Sequence, residues 1–324
     1  MISSISLPGT HDSAAINPTW ITPYSCHDSN LTQQLESGVR LLDIRLQITW
    51  VGEDLGSDNE FRLMTCHSDV DPAGVGSNVF QTFDSALLEC SDFLRAHPSE
   101  FIAMFIKVDQ WVNVAPQTQI SAIDEVATHM LWYDNIWKGS DYPSLGDVRG
   151  HIYVLNRTGF DHPAFSTPPL SWPNNSQFAY LPATQNGQFD IYVQDKWENT
   201  SEYEKFGLWK NMVEYDLDHD RAIAMNFASG TRPDPTGSLP LGVYIQEDVI
   251  SYIGAYSVSS RPTNLGWCLF DYENKLYGVR YFGNYFSVNV VDLWVDVNFG
   301  WERYPTAFFV NDRKMPAEDP ATGK

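Results

Sequence analysis

Eight short apolar runs, each ending on or beside a polar or ionisable side chain, constrain this sequence more than any other feature. They cover residues 2–7, 39–48, 61–66, 101–108, 151–156, 189–194, 222–227 and 265–270. Runs of this length read as strands buried on both faces, the pattern of a parallel sheet. The polar residues at their ends follow in order: His11, Asp43 with Arg45, His67, Lys107, Arg157, Asp195, Asn226 and Asp271. The spacers are long enough for helical crossovers. In residues 82–96, for example, Phe83, Ala86, Leu87, Cys90, Phe93 and Leu94 fall on one helical face. The expected fold is α/β, a single distorted TIM (β/α)8 barrel. It spans residues 1–312, with an extension after about 275 and a flexible tail over 313–324.

Scattered charges would not all choose the same end of successive strands. In such a barrel the C-terminal strand ends carry the site. The first end is a pair, His11-Asp12, and Pro8-Gly9 before it is expected to terminate the strand. Asp43 and Arg45 are two apart, so they share a face of their strand. A structural ion pair and a polar site at the strand end both fit that spacing. Residues 28–38 read as a helix capped by Asp28 or Ser29. Residues 158–188, dense in Pro, Asn and aromatics, read as a functional loop, and 285–299 as a last helix or an added strand pair.

Composition narrows the partners. A net charge of −21 excludes non-specific nucleic-acid binding and strong electrostatic adsorption to anionic membranes. No apolar stretch reaches the roughly 20 residues of a membrane span. The opening Met-Ile-Ser-Ser-Ile-Ser lacks the pattern of a signal peptide. A secreted protein whose leader is gone is expected, with a cytoplasmic one as the alternative, and a monomer in either case. Cys26, Cys66, Cys90 and Cys268 match no zinc spacing; two disulfides and four buried thiols are both open.

Two histidines on different strand ends suit one base and one acid, and Asp12 and Asp271 are placed to orient imidazoles. Arg45, Lys107 and Arg157 bring positive charge into an acidic protein, which points to an anion, most simply a phosphate. No Ser or Cys stands in an obvious nucleophile context. The chemistry expected is therefore phosphodiester cleavage by a hydroxyl of the substrate itself. Trp172 and Trp197 would form an aromatic wall for a sugar or cyclitol face. The competing reading makes Asp43, with His11, Asp12 and His67, a Ca²⁺ or Mg²⁺ site. Arg45 on the same face as Asp43 argues against it, because a fixed guanidinium supplies the charge a cation would. No metal and no other cofactor is expected.

These residues resemble a known family. The runs Leu7-Pro8-Gly9-Thr10-His11-Asp12-Ser13, Leu41-Leu42-Asp43-Ile44-Arg45 and Cys66-His67 are similar to the catalytic X-domain of the phosphatidylinositol-specific phospholipases C, small bacterial type. So are Phe105-Ile106-Lys107, Val193-Gln194-Asp195-Lys196-Trp197 and Asp271-Tyr272, so the likeness spans residues 2 to about 275. It implies cleavage of phosphatidylinositol or a related inositol phospholipid to diacylglycerol and a 1,2-cyclic inositol phosphate. By position, His11 would be the general base oriented by Asp271, and His67 the general acid assisted by Asp12. Arg45, anchored by Asp43, would hold the phosphate where calcium-dependent relatives bind their metal. Lys107, Arg157 and Asp195 would bind inositol hydroxyls. Trp197 stands where the family usually has Tyr, keeping the stacking face without the phenol, and Trp172 lies in a loosely similar Trp-Pro-Asn context. Transient membrane contact would rest on Trp20 and Ile21, with Leu239 and Leu241 a weaker second site. Two other readings remain: a metal-dependent glycerophosphodiesterase or phospholipase D-like enzyme on a similar barrel, and a silent barrel that binds inositol phosphates or membranes.

Overall fold

Alternation along the strands builds both the core and the rim. The computed structural model describes residues 1–16, 25–52, 60–67, 78–139, 143–183, 190–198, 200–216, 222–230, 241–255, 262–281, 284–304 and 309–310. One sheet holds β1 (Leu7–Thr10), β2 (Leu41–Trp50), β3 (Phe61–Cys66), β4 (Val79–Thr82), β5 (Ile102–Val112), β6 (Ile152–Arg157), β7 (Ala179–Leu181), β8 (Asp190–Gln194), β9 (Ala222–Phe227) and β10 (Trp267–Phe270). Seven of these pair in parallel in the order β6-β5-β2-β1-β10-β9-β8. Among the described residues no pairing joins β6 to β7 or β8, so the barrel is open on that side.

One parity of each strand fills the interior. Leu41, Ala103 with Phe105, Tyr153 with Leu155, Ile191 with Val193, Ile223 with Met225, and Trp267 with Leu269 form one buried cluster. Two residues further on, the same parity reaches Asp43 and Arg45, Lys107, Arg157, Asp195, Phe227 and Asp271. The opposite parity packs outward under helices, as Leu42, Ile44, Met104, Ile106 and Val154 do.

Several strands differ from the sequence expectation, and β4 and β7 lie outside the eight apolar runs, β7 in a stretch that reads as loop. β3 is antiparallel to β2, not a member of the parallel ring. β2 is long: Leu41 and Leu42 pair with β1, while Leu46–Trp50 runs on beyond and pairs with β3. The returning β3 thereby brings His67 back to the rim. The first strand is Leu7–Thr10, preceded by a short 3-10 turn at Ile2–Ser4, so Pro8 and Gly9 lie inside it. Leu7 and His11 donate their N–H groups to the β10 side, which turns the Pro8 nitrogen toward β2. Pairing with β2 begins only at Gly9, so the missing N–H breaks no ladder bond.

The helices follow ordinary rules. Phe83–Ala96 is capped by the Thr82 hydroxyl, which accepts from the Ser85 N–H at 3.1 Å, and carries Asp84 and Arg95 at the ends its dipole favours. Leu31–Glu36 is capped by Asn30 in a capping box with Gln33. The expected caps are occupied elsewhere: Ser29 bonds Glu273 and Asp28 bonds Asn274. The region after β10 contains both expected alternatives, a hairpin of β11 (Tyr277–Tyr281) with β12 (Asn284–Val288) and a helix Val290–Asn298. Asn298 closes the helix against the start of the barrel by exchanging two bonds with the Ser6 backbone, at 3.0 and 2.8 Å. The four cysteines are free, buried thiols. No helix among the described residues is long and apolar enough to cross a membrane. The tail expected to be flexible, 313–324, lies outside the described residues.

Gly9 is required by contact. A Cβ there would lie 2.8 Å from Leu41 Cβ and 2.9 Å from Leu41 O. Gly9→Ala should therefore push β1 off β2 and lower unfolding free energy by about 1–3 kcal/mol. Urea denaturation at pH 7 checks this, and an unchanged midpoint would contradict the packing.

Candidate active site

Register assembles the rim. Arg45 pairs with Lys107 and Lys107 with Arg157, so three cations from β2, β5 and β6 stand in one row. Thr10 pairs with Phe270, so the next residues, His11 and Asp271, meet as neighbours. The His11 Nδ1 lies 2.9 Å from Asp271 Oδ1.

The turn after β1 reverses within a few residues because Asp12 takes a left-handed φ of 45°. Side chains hold it there. Ser13 Oγ accepts from the Asp43 N–H at 2.7 Å and donates to the Thr10 carbonyl, and Gln34 Nε2 donates to the Ser13 carbonyl. Asp12 is thus aimed inward. Its Oδ2 lies 3.4 Å from His11 Nε2, 3.3 Å from His67 Nε2 and 3.1 Å from Arg45 Nη1. The carboxylate expected to serve His67 stands between both imidazoles, whose ring centroids are 5.9 Å apart and nearly perpendicular.

Arg45 is the charge centre. Its Nη2 and Nε donate to Asp43 Oδ2 at 2.9 and 3.1 Å, and its Nη1 lies 3.6 Å from Asp109 Oδ2. Asp109 in turn holds the Lys107 ammonium at 2.6 Å. The apolar-run reading did not single out Asp109. The β2–β5 register shifts just there, Leu46 facing Val108 and Gln47 facing Gln110, so Asp109 is the extra residue of a bulge. The signal available was its place two after Lys107.

A second group lies beside the first. The Arg157 guanidinium stacks 3.7 Å over the Trp172 ring, with Phe105 and Phe227 also near it at 5.8 and 5.9 Å. The Trp172 Nε1 donates to Asp195 Oδ2 at 2.9 Å, and Arg157 Nη2 stands 4.0 Å from the same oxygen. Phe227 also meets His11 edge-on at 6.4 Å, which joins the two groups. Trp197 is bonded instead to Asn174 and Asn175. Asn226 lies inside β9 as a support, linking Gln194 to the Trp209 carbonyl. Trp20, Ile21 and Leu239 lie outside the described residues, and of Leu241 only the backbone is described, opening the helix Leu241–Ala255.

Burial and charge set the ionisation. Burial pushes Asp12 up, outweighing the lowering pull of Arg45, His67 and His11. Burial would do the same to Asp43, but Arg45 and then Arg157 reverse it and hold that carboxyl well below the usual range. Burial opposes the Asp271 charge, and His11 and its hydrogen bond more than offset this, leaving Asp271 lowered. Cys26 Sγ lies 3.8 Å from His11 Nδ1 and 3.7 Å from His67 Nδ1, and burial, then Asp271 and Asp12, raise its pKa, keeping it a thiol. The donor atoms of His11, Asp12 and Cys26 lie within 4.8 Å of one another, close enough for a cation. The Arg45 guanidinium on Asp12 opposes a cation there.

No family model matches this chain. A 1-phosphatidylinositol phosphodiesterase of Listeria monocytogenes is 28% identical over 161 residues, 48% of this chain and 44% of that relative. The match thus spans less than half the length of that protein. Two solved structures share the fold. The phosphatidylinositol-specific phospholipase C of Staphylococcus aureus, in a structure described for its membrane binding, superposes with TM-score 0.71 at 21% identity over 92% of this chain and 93% of that one. The Listeria monocytogenes enzyme superposes with TM-score 0.57 at 20% identity, over 83% and 89%. The described residues form a mostly parallel, barrel-like sheet with a histidine–carboxylate–arginine rim. The chain's fold is that of the bacterial phosphatidylinositol-specific phospholipases C, and over 161 residues its sequence is similar to one of them.

Asp43 gives the site a pH signature. Its folded pKa lies below the ordinary carboxylate value of about 3.9. The stability it contributes is therefore fully present above that value and is lost as pH falls through and below it. Asp43→Asn, which strips Arg45 of a buried partner, should cost about 3–5 kcal/mol at pH 7. That deficit should shrink as pH is lowered from about 5 to 3. Urea midpoints for both proteins across that range check it; a deficit independent of pH would contradict it.

Proposed function

We propose that this chain cleaves phosphatidylinositol, or a related inositol phospholipid, by attack of the inositol 2-hydroxyl on its own phosphate. The observation that carries the reading is the pair of imidazoles on either side of Asp12, with Arg45 against the same carboxylate oxygen. In it, His11 takes the hydroxyl proton through Nε2, because Nδ1 is committed to Asp271. The Asp271 carboxylate holds the ring and stabilises the imidazolium that forms. The oxygen attacks phosphorus and the bond to the diacylglycerol oxygen breaks. His67 protonates that leaving oxygen; its Nε2 and that of His11 both lie within 3.4 Å of Asp12 Oδ2, so base and acid face a common point. Arg45 is a fixed donor to the phosphate oxygens, where charge grows in the transition state. Its paired carboxylates preorganise it so that no side-chain ordering is needed at the moment of reaction. Lys107, Arg157 and Asp195 bind inositol hydroxyls, and the Trp172 face backed by Arg157 lines the ring's other side. The products are diacylglycerol and a 1,2-cyclic inositol phosphate. A metal-free mechanism is supported by Arg45, whose charge sits on Asp12 and Asp43 where a cation would otherwise be needed.

Phosphorus NMR tests chemistry and metal independence together. With phosphatidylinositol and excess EDTA the product should be a five-membered cyclic phosphate. His11→Ala and His67→Ala should each lower kcat by roughly 10²- to 10⁴-fold. Loss of activity in EDTA, restored by a divalent ion, would favour the metal-dependent phosphodiesterase instead.

Membrane contact is the second part of the proposal, and a monomer acting at an exposed outer surface fits it. The net charge of −21 disfavours electrostatic adsorption, so apolar insertion through Trp20 and Ile21 is the reading. Replacing both by Ala should weaken sedimentation with phosphatidylcholine vesicles by roughly 10-fold or more, at about 2 kcal/mol per buried side chain. Partitioning equal to the parent's would overturn it.

A further inference from the structure

A second histidine–carboxylate pair lies directly behind the first. His27 and Glu273 are fully buried, with Nδ1 2.8 Å from Glu273 Oε2. His27 Nε2 lies 2.7 Å from the main-chain oxygen of His11. That carbonyl can only accept, so Nε2 carries a proton. The other Glu273 oxygen accepts from Ser29 Oγ at 2.7 Å. Burial opposes the Glu273 charge, but His27 and Ser29 together keep its pKa below the ordinary value, so it too is an acceptor. Both ring nitrogens therefore donate, and His27 is an imidazolium. The titratable groups facing it are Glu273, Asp271 and Tyr272 from the segment after β10 and His11 from the turn after β1, while Cys26 and Asp28 flank it in its own segment.

The connections form a closed ring. The His11 side chain reaches Asp271; the chain turns at Tyr272, whose φ is 50°; Glu273 reaches back to His27; and His27 returns to the His11 carbonyl. Neighbouring bonds brace it: the Tyr272 N–H donates to the Cys26 carbonyl at 2.9 Å and its hydroxyl to Ser25 O at 3.1 Å. A buried ion pair that served only stability would not need to end on the main chain of the proposed base.

We propose that His27 and Glu273 are a positioning pair: the His27 imidazolium, anchored on Glu273, grips the His11 main chain and so sets the imidazole–Asp271 geometry on which proton abstraction depends. This rests on His11 being the base. The ring opens when either side chain is removed, and the His11 ring then loses its fixed orientation toward the substrate hydroxyl.

The test combines kinetics with nitrogen NMR of the histidine-labelled full chain. His27→Ala should lower kcat roughly 10- to 100-fold, the size seen when a group supporting a site imidazole is lost, with KM near the parent's. The double variant His27→Gln with Glu273→Gln offers an amide pair that keeps a donor on the His11 carbonyl, and should regain most of that loss. In the parent, both His27 nitrogens should show the shifts of protonated imidazole at pH 7, and the His11 ring signals should move in the double and single variants in proportion to kcat. A folded His27→Ala with parental kcat, or a His27 neutral at pH 7, overturns the proposal. Should His27→Ala not fold, Glu273→Gln and the parent spectrum decide it. A parent that cleaves no inositol lipid refutes the function reading instead, and the spectra still report whether His27 sets the His11 ring.

Discussion

Arg45 is a nearly buried guanidinium held between Asp12, Asp43 and Asp109, and the site depends on that arrangement. A buried charge without partners is costly, and a carboxylate without a cation is equally so. The three acids come from the turn after β1, from β2 and from the bulge in β5, so their convergence requires three strands in register. Each constrains the others. Asp12 cannot leave the space between the imidazoles without giving up its contact with Arg45, and Arg45 cannot turn away without leaving Asp43 buried and charged. A mobile surface arginine would have to be ordered by substrate; this one is ordered by the fold.

In the function proposed, the site around that centre separates into a reacting half and a recognising half. His11, His67, Asp12 and Asp271 form the first, and Arg157, Trp172 and Asp195 the second, with Phe227 touching both. The recognising half is mostly a flat aromatic and guanidinium surface with one carboxylate, which suits a ring of hydroxyls. The buried Lys205, whose pKa burial pulls down to about 7, sits behind it and donates to Gln194 and the Lys196 carbonyl, which steadies the segment carrying Asp195.

Much of the rim was legible because strands have a period of two and the barrel interior is apolar. A residue at the end of an apolar run, on the parity of the core, has only the rim to occupy; Asp43, Arg45, Lys107, Arg157, Asp195 and Asp271 all follow that rule. Asp109 follows it too, two after Lys107 on the same parity, but it lies past the end of the apolar run and so carries no strand-end signal. His67 reaches the rim by a route its apolar run does not show: an antiparallel return from the overlong β2, not a parallel strand, delivers it. Pro8 and Gly9 were read as terminators, yet they lie in a strand that tolerates them. Pro8 pairs with Cys268 and its carbonyl accepts from the Arg40 N–H, so only its missing N–H is spared a partner, and Gly9 faces the Leu41 backbone.

The sequence by itself determined the class of fold and the identities of most rim side chains, since local periodicity and burial suffice for those. Tertiary structure alone decided how the acids and bases are shared. Asp12 lies between two imidazoles rather than with one, Arg45 has three partners, and His27 and Glu273 meet behind the His11–Asp271 pair. Such pairings join residues from distant parts of the chain. They depend on strand register and on turns at positive φ, at Asp12 and Tyr272, and neither follows from residue type or local spacing.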